Sequence, residues 1–498
     1  MLILKLIEKT STSELCSFFS LVIIGGILFT LSGYFRTIIL AWKLKGPPVV
    51  PFLGNCLLVK KRDVLEKDFA TAYRKFGDIA RIWILFFPFF CVIHPEKIQV
   101  ILSSKKHTDK SFFYKLLHNF LGNGLITSSG EKWHNHRRYI QPAFHLNILD
   151  KFIQTFIDAS EAFYDKMTAV NKEINVTQFV NNCVLDILNE SILGVPVKKV
   201  DGDVNMEESP FRQGKVVVPE RLVQPWLLWD GFYQLTKLAS DEIDQKSKLD
   251  KFTMEMITRR RQMKADGLLT DRKCLLDYMI EIAKRNPDFT DNDIVNEACT
   301  FMLAGQDSVG AAVAFCIFLL AQNQDCQKRC VDEMEEIFQG DNRSVTMQDL
   351  KEMRYLEMCI KETLRLYPSV PMLARKTGEE TRLGKHIIPA GSNIFISPYA
   401  THRIPQIYPN PEKFDPERFT PENCEKRHPY AYIPFSAGPR YCIGNRFAIL
   451  EMKTVISKIL RTYDILPVKG KTTFTPIFRI TVRASGGLWV RLQKRLDS

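Results

Sequence analysis

A segment without charge near the N-terminus sets the first constraint on how this chain can fold. Residues 15–35, LCSFFSLVIIGGILFTLSGYF, contain no acidic or basic side chain. Because a helix needs about 20 apolar residues to cross the hydrocarbon core of a bilayer, this segment predicts an N-terminal transmembrane anchor. A cleavable signal peptide is the alternative, but its apolar part is usually about 7–15 residues long. A mitochondrial presequence fits less well, because Glu8 and Glu14 precede the apolar block and presequences are poor in acids.

The charges that flank this segment predict its orientation. Basic residues are more numerous after it than before it, and cytosolic flanks carry the excess of Lys and Arg. The body of the protein is therefore expected in the cytosol, and the absence of a Cys-x-x-Cys pair agrees with a reducing compartment. The flanking basic residues are Lys5 and Lys9 before the segment and Arg36, Lys43, Lys45, Lys60, Lys61 and Arg62 after it.

The rest of the chain predicts one large domain after a short hinge. Residues 45–55, KGPPVVPFLGN, form the hinge, because proline fixes φ and cannot continue a helix. Residues 56–498 lack a low-complexity linker or internal repeat. Helical apolar spacing dominates them, which predicts a mainly α-helical fold of the α+β class. The predicted helices cover residues 148–168, 175–193, 241–265, 291–323, 347–366 and 444–462.

Three regions depart from helical spacing. Residues 80–93 are rich in β-forming side chains and predict a hairpin whose turn carries Pro88. Residues 195–235 lose periodicity and predict a mobile connection. Between Pro368 and Pro434, frequent prolines and short extended segments predict loops and sheet.

The segment PFSAGPRYCIGNRFA, residues 434–448, carries the chemistry. Gly438 and Gly444 flank Cys442, and glycine is used where the backbone needs φ > 0 or must approach another group closely. A predicted helix follows directly, and the N–H groups at its start favour a thiolate. A lone cysteine is more often a buried structural residue, and zinc needs three or four ligands. One thiolate opposite an open position suits a haem iron.

Phe435-x-x-Gly438-x-Arg440-x-Cys442-x-Gly444 resembles the haem-binding signature of cytochrome P450 monooxygenases. The resemblance implies the P450 fold, a helical bundle with small β-sheets, over residues 56–498 as the haem-thiolate catalytic domain. It also implies haem b as cofactor, with Cys442 as the axial ligand of the iron and the other four residues of the signature around the haem.

Further motifs occur in the order that the family requires. Glu362-x-x-Arg365 is similar to its structural ion-pair motif, and Arg418, in the segment DPERF, is similar to the arginine that completes this network. Trp133-x-x-x-Arg137 resembles the helix that reaches a haem propionate. The resemblance further implies Arg375 and Arg440 as propionate-binding arginines. His134 and His136 lie between basic residues and are predicted to line a positive surface, not to bind metal.

The predicted helix 291–323 contains the residues that are expected to act on O2. Ala304-Gly305-x-Asp307-Ser308 resembles the family's acid–alcohol motif, with serine in the usual place of threonine. The resemblance implies that Gly305 lets the helix loosen, that Ser308 donates a hydrogen bond and that Asp307 relays protons. Serine lacks the methyl group and the χ1 stiffness of threonine, so more peroxide release per product is expected.

The segments RHPYAYIPFSAGPR and NEACTFMLAGQDS resemble family 4 cytochromes P450, in particular insect microsomal members. Many members have a glutamate that esterifies the haem at the position of Ala304. An alanine cannot form that ester, so covalent haem attachment is not expected. Tyr441 and Asn445 also replace common family residues, and the sequence does not show what they change.

The function implied is insertion of one oxygen atom of O2 into an apolar substrate: a fatty acid, terpenoid hormone or xenobiotic. Electrons would come from NADPH through NADPH-cytochrome P450 reductase, with cytochrome b5 as a second candidate partner, at the endoplasmic reticulum membrane. No nucleic-acid partner is expected. The alternatives are a haem-thiolate isomerase or dehydratase that acts on peroxides without a reductase, and a non-catalytic haem sensor or lipid-binding protein. A basic reductase-binding face is predicted from Lys132, Arg138, Lys426, Arg427 and Arg446.

Overall fold

The computed structural model describes residue 20 and residues 32–59, 63–168, 173–196, 210–213, 217–268 and 273–495. Most of the predicted anchor, residues 15–35, lies outside the described residues; a helix over residues 32–42 begins at its end. Within the described ranges, Asp291–Gln322 is the one helix long and apolar enough to span a membrane, and most of it is buried inside the protein. Its hydropathy therefore reflects a position in the core.

The fold is mainly helical, as predicted. The longer helices are residues 32–42 (α1), Pro95–Leu102 (α2), Gly130–Ile140 (α3), Ile153–Thr168 (α4), Val176–Leu188 (α5), Lys237–Ala265 (α6), Leu275–Arg285 (α7), Asp291–Gln322 (α8), Gln324–Phe338 (α9), Met347–Glu352 (α10), Arg354–Leu366 (α11) and Asn445–Leu460 (α12). Shorter helices are Cys56–Val59, Ala72–Phe76, His118–Leu121, Leu146–Leu149, Pro210–Gln213, Val218–Val223, Asp230–Tyr233, Pro398–Thr401 and Pro421–Glu425.

Eleven short strands form four small sheets among the described residues. The largest has the order β1-β2-β7-β4, the second β3-β11-β8, and two hairpins pair β5 with β6 and β9 with β10. The strands are Ile79–Ile84 (β1), Phe87–Val92 (β2), Ile174–Asn175 (β3), Leu373–Lys376 (β4), Thr381–Leu383 (β5), His386–Ile388 (β6), Asn393–Ile396 (β7), Tyr463–Pro467 (β8), Thr475–Phe478 (β9), Val482–Ser485 (β10) and Trp489–Lys494 (β11).

Helix α8 is the central element of the core. The side chain of Thr290 accepts from the backbone N–H of Asp293, and Asp293 reciprocates, so a capping box begins the helix. Helices α5, α6, α11 and α12 pack on it. Residues 293–302 and 309–321 are buried, whereas residues 303–308 are half-buried. Solvent therefore reaches α8 at one stretch in the middle of its length.

Two predictions of secondary structure were wrong in detail. Pro88 lies within β2 and pairs with Trp83, and the turn is made by residues 85 and 86. Its missing N–H is tolerated there, because β2 meets its second neighbour, β7, only from Phe89 onward. The predicted helix 347–366 is interrupted at Met353.

The predicted mobile connection over residues 195–235 contains short helices where the structure describes it. Arg221 is 1% exposed there and donates hydrogen bonds to the Leu227 carbonyl and to Asp230. Its guanidinium also lies 3.8 Å from the centre of the Tyr233 ring. Buried polar contacts of this kind, together with a small apolar cluster that includes Val217 and Leu227, order the described part of the segment.

Candidate active site

The loop before α12 is shaped by its backbone. Cys442 donates its N–H to the Phe435 carbonyl at 3.0 Å and so closes the loop. Gly438 has a φ of +69°, and a Cβ there would overlap the Leu102 carbonyl oxygen, so only glycine fits. Gly444 has an ordinary backbone, and a Cβ there would only touch Phe144 at 3.9 Å. The protein itself gives no steric reason for the glycine at Gly444.

Cys442 remains accessible to solvent although protein atoms surround it closely. Desolvation raises the pKa of its thiol, while a hydrogen bond with the Gly444 backbone and the charge of Arg137 oppose that rise. In the protein alone, desolvation therefore outweighs the backbone N–H group and the arginine that favour the thiolate. A bound metal ion would change this balance, because a coordinating thiol is deprotonated outright.

Arg440 is held by backbone carbonyls and an aromatic ring. Its Nε donates to Thr108 at 3.0 Å, Nη1 to Leu125 at 3.2 Å and Nη2 to Ser128 at 2.7 Å. The guanidinium carbon lies 3.8 Å from the centre of the Trp133 ring. Arg440 thus has a fixed place, and two of its five N–H groups remain for another acceptor.

Lys110, Arg137, Arg375 and Arg440 form a group of buried or half-buried cations. Within the described ranges none of the four forms an ion pair. Burial lowers the pKa of each, and Arg375 and Arg440 lower the pKa of Lys110 further. Asp109 only partly offsets this at Arg440. The chain leaves a positive site that a dianionic group would neutralise, as the two propionates of a haem would.

The accessible stretch of α8 faces the same region. The ring of Phe144, next to Gly444, stacks on Phe301 of α8 with centroids 5.4 Å apart. Ala304 and Ser308 follow Phe301 by three and seven residues and therefore share its face of the helix. The space between this face and Cys442 thus adjoins the only accessible stretch of the described α8 interior.

The three α8 residues of the predicted acid–alcohol motif have different partners. Ser308 Oγ donates to the Ala304 carbonyl at 2.6 Å. Asp307 forms an ion pair with Arg483 of β10 and accepts a hydrogen bond from Thr481 at 3.3 Å. A Cβ at Gly305 would lie 2.7 Å from Leu188, so this glycine allows α5 to pack closely on α8.

Glu362, Arg365 and Arg418 come together as a buried network. Arg365 donates to Glu362 through Nε at 2.6 Å and Nη2 at 2.8 Å, and both side chains are 0% exposed. Arg418 Nε lies 3.4 Å from Glu362. Arg365 Nη1 donates to the His402 carbonyl at 2.9 Å, and His402 Nε2 accepts from the Ile433 N–H at 2.9 Å. The network therefore reaches the residue before the Cys442 loop.

Residues 44–486 match the family model "Cytochrome P450". The chain belongs to the cytochrome P450 family. It is 62% identical to "Probable cytochrome P450 4aa1" of Drosophila melanogaster over 99% of both chains. It is 37% identical to "Cytochrome P450 4c3" of the same species, over 91% of this chain and 89% of the relative. Human "Cytochrome P450 4V2" is 34% identical, over 89% and 88%.

Family membership confirms the predicted fold, the haem cofactor and the class of enzyme, a P450 monooxygenase of the family 4 type. The structure brings Cys442, Trp133, Arg137, Arg375 and Arg440 to one site, and it places the α8 motif on the facing helix. The residues present fit a haem, because the site offers an accessible sulfur and unpaired cations.

Sequence reasoning missed or misplaced several residues. Lys110 was missed; its available signal was a basic residue before an aromatic run, KSFFY. Arg483 lies in no motif and is joined to Asp307 only by the fold. His136 is not on a positive surface but 4% exposed, with its Nδ1 2.7 Å from Glu297. Lys132 pairs with Asp293 at 2.6 Å, so it is not a free surface cation.

Proposed function

We propose that this cytochrome P450 inserts one oxygen atom of O2 into an apolar substrate, with electrons from NADPH delivered by a reductase. The observation that carries the proposal is the pairing of an accessible Cys442 with the accessible middle stretch of α8, residues 303–308, beside cations that lack an ion-pair partner among the described residues. A haem held by a thiolate activates O2, so that the second oxygen atom leaves as water.

The chain's own residues would hold the haem and move protons. Cys442 would bind the haem iron through its thiolate, and Arg137, Arg375, Arg440 and Lys110 would bind the propionates. The ring of Trp133 packs against the Arg440 guanidinium, whose carbon lies 3.8 Å from the ring centre. Phe435 and Gly438 shape the loop around the sulfur, and Gly444 contributes a backbone hydrogen bond to Cys442.

Ser308 and Asp307 would deliver protons from the α8 side. The Ser308 hydroxyl now donates to Ala304 and has to turn from that carbonyl to donate elsewhere. The Asp307 carboxylate is paired with Arg483, so it would pass on a proton only when that ion pair opens. This geometry supports Asp307 as a relay at the edge of the site, with Ser308 as the inner donor.

We expect the haem to be held without a covalent bond. Ala304 offers no carboxylate, and its carbonyl already accepts from Ser308. Acid extraction into an organic solvent tests this point: haem that stays with the polypeptide would contradict it.

Exposed aromatic side chains, together with the exposed Leu235, support a membrane location, which we propose to be the endoplasmic reticulum. They lie on two adjoining parts of the protein, since the helix Val218–Val223 packs against the helix Cys56–Val59. Tyr34 of α1 also donates to the Phe86 carbonyl at 2.7 Å. Aromatic residues are favoured at the interface between lipid and water. The exposed residues are Phe35, Trp42, Phe52, Phe86 and Phe87 on one part and Trp226, Trp229, Phe232 and Leu235 on the other.

Three of the five basic residues predicted to form a reductase-binding face are exposed and support that role. Arg138, Lys426 and Arg446 are exposed. Arg427 is half-buried and donates to the Arg418 carbonyl, so it serves the fold instead. The three exposed cations suit an acidic reductase, with cytochrome b5 as a second partner.

Product formation in membranes that contain the reductase tests the function. We expect oxygenated product from fatty acids, terpenoids or other lipids only when NADPH is present, and none from Cys442→Ser. NADPH-independent conversion of peroxides would favour the isomerase or dehydratase alternative. Haem binding without turnover of any lipid would favour the sensor.

A further inference from the structure

Four ionisable side chains join α3 to α8 in register. Lys132 and His136 lie one turn apart on α3, and Asp293 and Glu297 lie one turn apart on α8. Lys132 Nζ is 2.6 Å from Asp293 Oδ1, and His136 Nδ1 is 2.7 Å from Glu297 Oε1. The inner pair is buried, with His136 4% and Glu297 0% exposed. A buried carboxylate of this kind is costly unless donors satisfy it.

The second carboxylate oxygen of Glu297 holds a loop. Its Oε2 accepts the backbone N–H of Leu125 at 3.0 Å. The loop, residues 122–128, packs closely against α8 because Gly124 has no side chain at the point where the loop meets the helix. A Cβ on Gly124 would overlap Thr300 Oγ1 and would stand 3.1 Å from Glu297 Oε2. The place of the loop therefore depends on Glu297.

The same loop supplies two of the three carbonyls that hold Arg440. Leu125 accepts from Nη1 at 3.2 Å and Ser128 from Nη2 at 2.7 Å. Leu125 thus connects Glu297, through its N–H, with Arg440, through its carbonyl. A shift of the loop would turn the guanidinium away from its present direction.

The surroundings of Glu297 leave it few other donors. Burial raises the pKa of Glu297, and its hydrogen bonds with His136 and Leu125 lower it. The charged neighbours are Lys132 and Asp293, whose Oδ1 lies 3.9 Å from His136 Nε2. The ring of Phe289 covers the His136 ring, with centroids 4.8 Å apart. Loss of either donor would leave a buried carboxylate poorly satisfied.

We propose that His136 and Glu297 are positioning residues for the cofactor. The pair holds residues 122–128 in the place from which Leu125 and Ser128 direct Arg440 towards a haem propionate. This inference rests on the proposed role of Arg440 in haem binding. Both side chains are buried, and both act through the loop.

The rate at which the ferric holoprotein loses haem to excess apomyoglobin tests this inference. Glu297→Gln replaces one acceptor oxygen by an amide group, and we expect haem loss to become about tenfold faster, the size of effect that a hydrogen bond to a charged group supports. In an Arg440→Ala background the same change should add nothing, because its effect passes through Arg440. His136→Gln breaks the pair from the other side, should act in the same direction, and decides the matter if Glu297→Gln does not fold.

Asp277→Asn is the matched control. Asp277 is also a buried carboxylate between two helices: it accepts from Arg260 Nε at 2.9 Å and from the Cys274 backbone N–H at 3.0 Å. This variant should lower the free energy of unfolding without changing haem loss. Equal acceleration by Asp277→Asn, or additive effects of Glu297→Gln and Arg440→Ala, would overturn the inference. If Cys442 did not bind a haem, the unmodified protein would lack the ferrous–CO spectrum of a thiolate-ligated haem. If only the proposed reaction were wrong, haem loss would still respond as expected while NADPH-dependent product formation would fail.

Discussion

Two groups of buried cations adjoin the Cys442 loop and differ in what balances their charge. Arg365 is 0% exposed and has the carboxylate of Glu362 within 2.6 Å. Arg375 is 2% exposed, yet it has no carboxylate beside it: its Nη1 donates to the carbonyl of Ala374, and its other hydrogen-bond partner is Tyr114. The two arginines are buried to nearly the same extent, but only the charge of Arg365 is neutralised by an acidic side chain of the protein. The first group therefore stabilises the fold, and the second is a site for a bound anion.

Removal of the acid from the balanced group should have the largest effect. Glu362→Ala leaves Arg365 buried without a counter-ion, and breaking such a pair costs about 3–5 kcal/mol. We expect a loss of this size in the free energy of unfolding of the apoprotein, measured by urea denaturation. Glu417→Ala is the control, because its ion pair with Arg329 is on the surface and should contribute at most about 1 kcal/mol. Equal losses would remove the contrast between the two groups.

Removal of a cation from the unbalanced group should act on haem affinity. Arg375→Met deletes a buried charge that has no ion-pair partner among the described residues, so the free energy of unfolding of the apoprotein should stay the same or rise. Haem affinity should fall about tenfold to a hundredfold, the range for hydrogen bonds to charged groups. Haem titration and denaturation of the same preparation measure both quantities. A less stable apoprotein with unchanged haem affinity would show that Arg375 belongs with the structural group.

Arg418 tests the outer part of the balanced group. Its Nη2 donates to the carbonyls of Pro409 at 2.7 Å and Asn410 at 3.2 Å, while its Nε is 3.4 Å from Glu362. Arg418→Lys keeps a cation near Glu362 but loses the fork that reaches both carbonyls. The free energy of unfolding should fall by about 1–2 kcal/mol. A loss as large as that of Glu362→Ala would place the centre of the network at Arg418.

The pH dependence of the apoprotein should show the smallest effect. Burial and the charges of Arg375 and Arg440 lower the pKa of Lys110 well below its usual value. The folded state then binds fewer protons than the unfolded state between this lowered pKa and the usual value of about 10.4. Stability should therefore rise with pH across that window. In Lys110→Met the rise should be smaller when denaturation is repeated at several pH values, and an identical slope would contradict the assignment.

Much of the site follows from local sequence. The Cys442 loop is set by contacts within a few residues, such as the hydrogen bond with Phe435, and by the φ of Gly438. The pair of Glu362 with Arg365 is also local, because residues three apart share a helix face. Motifs of this kind can be predicted from the sequence because the geometry of neighbouring residues allows few other arrangements.

Contacts between side chains that are far apart in the sequence could not be predicted from the sequence. Arg483 meets Asp307 from 176 residues away, and His136 meets Glu297 from 161 residues away. The apparent surface position of His136 followed from its basic neighbours in sequence, whereas the packing of α3 on α8 buries it. Sequence spacing carries no information about which helix faces another.

The mainly helical fold class and the loop that presents Cys442 follow from the sequence alone, because backbone conformation and apolar periodicity are local properties. The tertiary structure decided which buried cations have an acid beside them. Glu362 neutralises Arg365 inside the fold, whereas Lys110, Arg137, Arg375 and Arg440 gather without an ion-pair partner in the described part of the chain. Charge balance depends on distances between side chains, and only the folded chain sets those distances.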